Sequence, residues 1–175
     1  MRRAATAVAM AGLLTAACAS QGSPAPAPAS APPPVADAGK IDMCTILTDP
    51  ELTSLGAQPN TRKSFNNSGV IGCRWQGKSY TLSMERANST LAGYRARRND
   101  PSFINFADNT VNGRAGSHFG VDKSGSQCAQ LMDGGSAALA VSVAVPRTAA
   151  SAAVDPCAEA LRIAQMIEPR LPKLS

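Results

Sequence analysis

Histidine is almost absent from this chain: His118 is the single one. A lone imidazole excludes zinc sites built on two or more histidines, and any His-dependent triad has to use it. Aromatic residues are scarce as well, with one Trp, two Tyr and four Phe. A core must therefore rest mainly on Val, Leu, Ile, Met and Ala. No pair of cysteines has the CxxC spacing of a zinc ribbon or a thioredoxin-like site, and His118 completes no familiar Cys/His ligand set. The GxSxG elbow, HExxH, Walker A, the GxGxxG fingerprint and SxxK are all missing. Gly116-Ser117-His118-Phe119-Gly120 places its serine one residue early for an elbow. Lys123-Ser124-Gly125 has no SxxK nucleophile to serve. These absences leave no cofactor to expect, and no catalytic or metal-binding residue to nominate.

Strong charge is missing too. There are 17 Lys and Arg against 12 Asp and Glu, and two of the basic residues, Arg2 and Arg3, belong to an N-terminal leader; without them the surplus falls to +3. So mild a balance gives no reason to expect a nucleic-acid partner. Long apolar runs are absent: the leader's apolar stretch, about Ala4 to Leu14, falls short of the ~20 residues of a membrane span and runs into polar Ser20-Gln21-Gly22-Ser23.

What is there begins with that leader. Two arginines, a short apolar segment and small Ala16-Ala17 have the layout of a secretory signal. Leu14-Thr15-Ala16-Ala17-Cys18 resembles a bacterial lipobox, with Thr15 where Leu is commoner. The resemblance implies a lipoprotein signal peptide over residues 1–17. It also implies a lipidated Cys18 that carries palmitate-type acyl chains and holds the protein on the extracytoplasmic face of the cell membrane. The alternative is simple cleavage after Ala17 without lipidation.

Residues 18–40 read as a tether. Ser23-Pro24-Ala25-Pro26-Ala27-Pro28-Ala29-Ser30-Ala31-Pro32-Pro33-Pro34 has no large apolar residue, and alternating Pro and Ala favour extended polyproline II at about 3.1 Å per residue. Residues 41–175 then make one domain of ordinary size. Cys44, Cys73, Cys128 and Cys157 form an even set, which in an exported domain reads as two disulfides with three possible connectivities. Cys44–Cys73 and Cys128–Cys157 are favoured because each closes a short sequential loop.

Thr48-Asp49-Pro50-Glu51 is a capping box opening a helix with Leu52 and Leu55 on one side, and Gly56 ends it. Thr61 to Gly69 reads as polar loop. Cys73-Arg74-Trp75 and Tyr80 to Met84 make a hairpin around Gln76-Gly77-Lys78. Ser89-Thr90 precede a short helix with Leu91 and Tyr94, ending in Arg95, Arg97 and Arg98. Those cations complement the helix dipole, or else form an anion-binding patch. Pro101 to Asn109, with Phe103 and Phe106, reads as loop, and Val111 to Ala115 as a turn into a strand through Phe119. Gln127–Met132 and Ala137–Val145 form the clearest hairpin. Leu139, Val141, Val143 and Val145 alternate there with Ala138, Ala140, Ser142 and Ala144, a face small enough for close helix packing. Asp155-Pro156 start a last helix with Cys157, Leu161, Ala164 and Ile167 on its buried face and Glu159, Arg162 and Gln165 outward. The fold class is α+β: an antiparallel sheet of consecutive hairpins packed by N- and C-terminal helices, with two disulfides.

The lipobox, Pro/Ala arm, Asp42-Met43-Cys44, Gly72-Cys73-Arg74-Trp75, Val111-Asn112-Gly113-Arg114-Ala115 and Asp155-Pro156-Cys157 together resemble a family of actinobacterial envelope lipoproteins whose domain has no assigned function. The resemblance implies an α+β domain akin to small extracytoplasmic sensor domains, and it supplies no catalytic residues. Two functions follow as expectations. The first is a non-catalytic binding, interaction or sensor-like domain with a protein, lipid or glycan partner in the envelope, its surface at the Phe103/Phe106 segment or the Arg95-Arg97-Arg98 end. The alternative is an envelope hydrolase with a non-standard site using His118. Ser117, adjacent in a strand, should point away from it.

Overall fold

The computed structural model describes residues 37–146 and 154–174; the expected signal peptide, Cys18 and the expected tether up to residue 36 lie outside them. Helix α1 (Asp49–Ser54) forms as its capping box dictates, with Thr48 Oγ1 accepting from the Glu51 amide and the Glu51 carboxylate accepting from the Thr48 amide at 2.8 Å. Strands β1 (Lys63–Asn67), β2 (Val70–Gln76) and β3 (Thr81–Arg86) follow as a meander. Helix α2 (Leu91–Ala96) leads to a second meander of β4 (Ile104–Val111), β5 (Arg114–Gly120), β6 (Gln127–Asp133) and β7 (Ala138–Ala144). Helix α3 (Pro156–Ile167) closes the order.

All seven strands make one antiparallel sheet, β1-β2-β3-β7-β6-β5-β4. The two meanders join at β3 and β7, so the most apolar strand is central and the chain crosses the sheet once, through α2. On one face α1 and α3 bury Leu52, Trp75, Leu82, Met84, Leu139, Val141, Val143, Ile163 and Ile167 in a single cluster. On the other, Leu91 and Tyr94 of α2 pack with Phe103, Phe106, Phe119, Leu131, Ala138 and Ala140. The two disulfides are Cys44–Cys73 and Cys128–Cys157, the pairing favoured by loop length. They tie the segment before α1 to β2, and α3 to β6. Asp37 and Ala38 already pack on this domain: the Asp37 carboxylate accepts from the Ser136 hydroxyl at 2.6 Å, and Ala38 is fully buried.

Three local expectations are corrected. Residues 63–67, read as loop, form edge strand β1, and polar Lys63, Ser64, Asn66 and Asn67 are tolerated there because an edge strand is mostly exposed. Residues 104–109, also read as loop, belong to β4. Their alternation is broken by a bulge in which Asn105 and Phe106 together oppose Phe119, with Asn105 at φ 51°. In a regular strand Phe103 and Phe106, three apart, would face opposite sides; the bulge puts both against Phe119, at 4.5 and 5.9 Å between ring centroids. The third correction concerns α3, whose fully buried stripe is Ala160, Ile163, Ala164 and Ile167, while Leu161 is only partly covered. Glu159 turns inward instead of out, accepting from the Tyr80 hydroxyl at 2.9 Å.

Candidate functional site

The small face expected on β7 exists, but a helix covers only half of it. At about 1.5 Å per residue the six-residue α2 spans about 9 Å, whereas a seven-residue strand spans roughly 20 Å. Leu91 of α2 reaches Ala138 and Ala140; Ser142 and Ala144 lie beyond it. Register fixes what surrounds them. Arg74, Ser83, Ser142, Ala129 and Phe119 form one row across β2, β3, β7, β6 and β5. Gln76, Thr81, Ala144 and Gln127 form the next row. The result is a cavity of about 210 Å³, floored by Ser83, Ser142 and Ala144 and rimmed by Arg74, Thr81 and Gln127.

Its polar groups are unevenly paired. Arg74 Nε donates to Ser83 Oγ at 3.3 Å and its guanidinium lies 5.8 Å from the Phe65 ring. No carboxylate among the described residues reaches it within ion-pair distance. The Ser142 hydroxyl, on a residue only 7% exposed, and the Gln127 amide make no side-chain hydrogen bond among the described residues. Glu85, two residues from Ser83 on the same side of β3, is half-buried and has no ion-pair partner there. Burial holds its carboxyl above the ordinary 4.5, with Arg74 opposing. Burial and the neighbouring Glu85 likewise raise the Tyr94 phenol, with Arg97 opposing. Unpaired, partly desolvated groups beside a cavity mark a candidate site, because they lower stability where they stand.

The linkage sign gives a direct check on Glu85. Its folded-state pKa lies above the unfolded value, so the native state binds the extra proton and stability falls as pH rises from about 4.5 through the folded pKa. Glu85→Gln is therefore expected to unfold at a higher temperature than the parent at pH 7, with the gain vanishing below about pH 4.5. Thermal melts at several pH values read this, and a variant less stable at pH 7 would contradict it.

The two surfaces proposed from sequence are brought together at the α2 end of the same face. Arg97 stands 5.3 Å from the Tyr94 ring and 5.8 Å from Phe103, and Arg98 stands 5.5 Å from Phe106. Arg95 Nε pairs with Asp108 at 2.8 Å and also donates to Ser117 Oγ, which in turn donates to Asp108 at 2.7 Å. Arg98 joins the same carboxylate, and the Ser117 bond followed by Arg98 keeps Asp108 below the usual range. Arg95 and Arg98 thus share one carboxylate, while Arg97 reaches none among the described residues and lies over the Tyr94 and Phe103 rings.

His118 faces the other way. It stands opposite Gln130 and Ala107, whereas Ser117 stands opposite Leu131 and Asp108, so the two side chains lie on opposite faces as strand alternation requires. His118 is half-buried and is not among the residues lining the cavities of about 210, 430 and 440 Å³. Two cavities of about 430 and 440 Å³ are roomier, but an ion pair occupies each: Arg114 with Glu168 in one, and in the other Arg162 with Glu159, which also accepts from the Tyr80 hydroxyl. Among the described residues no cluster of His, Cys, Asp and Glu has the makings of a metal site, and no helix is long and apolar enough to cross a membrane. The open α2 face, which sequence reasoning missed as a cavity, had one visible signal: a strand alternating large and small residues beside a helix too short to cover it.

Comparison with known proteins gives one match. The sequence model of the family described as "Protein of unknown function (DUF3558)" matches residues 13–170. No curated protein and no solved structure matches.

Proposed function

The chain belongs to the DUF3558 family of proteins of unknown function, and from that premise we propose that it is a lipid-anchored extracytoplasmic binding domain rather than an enzyme. In this reading Cys18 carries the acyl anchor, residues 18–36 form the arm, and the envelope is that of an actinobacterium. Two disulfides suit an oxidising compartment. The observation that carries the binding role is the α2 face, where a cavity with unpaired donors adjoins a corner of Tyr94, Phe103, Phe106 and Arg97. Tyr and Arg are the residue types in which binding energy concentrates, and rigid rings present area at small entropic cost.

Both halves are testable. Feeding cells a labelled fatty acid is expected to label the protein, and Cys18→Ala to abolish the label; unlabelled protein would overturn the anchor. A photo-reactive residue at position 97 is expected to cross-link an envelope protein, lipid or glycan in intact cells, while one at position 162 on the opposite face captures none. Equal capture at both positions, or none at 97, would overturn the interface.

A further inference from the structure

We propose that the cavity between Arg74 and Gln127 binds a small hydroxylated monocarboxylate of the sugar-acid type; this rests on the binding role above and names its ligand class. A volume of about 210 Å³ lies below the ~300–1,000 Å³ of drug-sized sites, which limits the occupant to one small ring or short chain. Arg74 supplies the charge selectivity. With Nε spent on Ser83, its two terminal nitrogens are free to take both oxygens of a carboxylate in the planar fork that guanidinium offers. The Ser142 hydroxyl in the floor and the Gln127 amide at the rim, neither with a side-chain hydrogen bond among the described residues, are neutral groups that each donate and accept. They match ligand hydroxyls, which do the same. Thr81 is already engaged with Gln76 at 3.1 Å and shapes the wall.

Glu85 sets the upper limit on charge. It stands on the same side of β3 as Ser83, in the next row, opposite Ala140 and Gly72. It does not line the cavity, but a carboxylate one row away repels a second negative charge there, so one carboxylate with several hydroxyls fits where phosphate dianion or a dicarboxylate does not. The uncharged sugar lacks the group that Arg74 selects.

The test uses the full-length chain in detergent and saturation-transfer NMR with glucuronate, glucose, tartrate and inorganic phosphate. Glucuronate is expected to receive saturation, glucose to bind at least about 10-fold more weakly, and tartrate and phosphate not to displace it. Arg74→Gln is expected to weaken glucuronate about 10- to 100-fold, the range of a charge-assisted pair, and Ser142→Ala roughly 2- to 10-fold. Circular dichroism checks that each variant is folded; should Arg74→Gln fail to fold, Gln127→Ala, at a half-exposed and unpaired side chain, reads the same site with the smaller factor. The assignment is overturned if no probe binds, if glucose matches glucuronate, if phosphate or tartrate competes equally, or if the folded variants bind like the parent. Cross-linking at position 97 without glucuronate binding would reject the ligand class and leave the binding role standing. Glucuronate binding without cross-linking would reject the aromatic interface alone.

Discussion

Arg114→Ala is expected to cost about 3–5 kcal/mol of folding stability, the loss that follows when one partner of a buried ion pair is removed. The side chain is 6% exposed and all its nitrogens are used: Nε donates to Glu168 at 3.0 Å, one terminal nitrogen to the Asp133 carbonyl at 3.0 Å, and the other to the Pro172 carbonyl at 2.7 Å. Alanine would strand a carboxylate only 16% exposed, along with two carbonyls that the guanidinium now satisfies. It would also release the C-terminal turn, Glu168–Arg170 and beyond, from the end of β6. Arg114→Lys is expected to restore little, because a single ammonium cannot reach three acceptors set in a fork. Removing both charges with Arg114→Met and Glu168→Met together should cost less than Arg114→Ala alone, since no uncompensated charge remains. Urea denaturation of the three variants measures this. A loss for Arg114→Ala below about 1 kcal/mol, the size of an exposed pair, would contradict it.

The disulfides come next in size. Each spans a separation of 29 residues, and closing a loop of about 30 residues contributes roughly 3–4 kcal/mol in the chain-entropy model. Cys44→Ala/Cys73→Ala and Cys128→Ala/Cys157→Ala are therefore expected to lose that amount each, and nearly equally. Removing both should cost about 7 kcal/mol, comparable with the ~5–15 kcal/mol of a whole domain, so the four-alanine chain is expected to be unfolded at 37 °C. Guanidinium denaturation of each pair, with non-reducing peptide mapping of the parent, tests it. A bridge whose loss costs nothing would mean that the native packing already holds the two segments in register.

Much of the fold was legible because its signals are local. The capping box at Thr48 and Glu51 depends on residues three apart, and it forms as read. Asn112-Gly113 demands two positive φ values, and both residues have them, at 50° and 90°. The β6–β7 hairpin, the Asp155-Pro156 helix start and the cysteine pairing likewise follow from short separations. What escaped were features set by distant partners. Strand β1 has no apolar alternation because its position at an edge exempts it. Strand β4 hides its period behind the bulge at Asn105, whose purpose is visible only once Phe119 is beneath it. The buried stripe of α3 is rotated from the expected one because residues 160, 163, 164 and 167 are fully buried on the sheet, whereas Leu161 is only partly covered.

The candidate site divides in the same way. By itself the sequence determined the ingredients: a small-residue face on β7, a short α2 ending in arginines, two phenylalanines nearby, and one histidine with no partner. Those are properties of single segments, fixed by side-chain period and helix length. Only the tertiary structure decided that β7 lies between β3 and β6, and so places Ser142 between Ser83 and Ala129 with Arg74 and Phe119 at the ends of the row. Strand order is a choice among pairings that all satisfy the same backbone hydrogen bonds; it is settled by which faces bury together, and no local pattern carries that information.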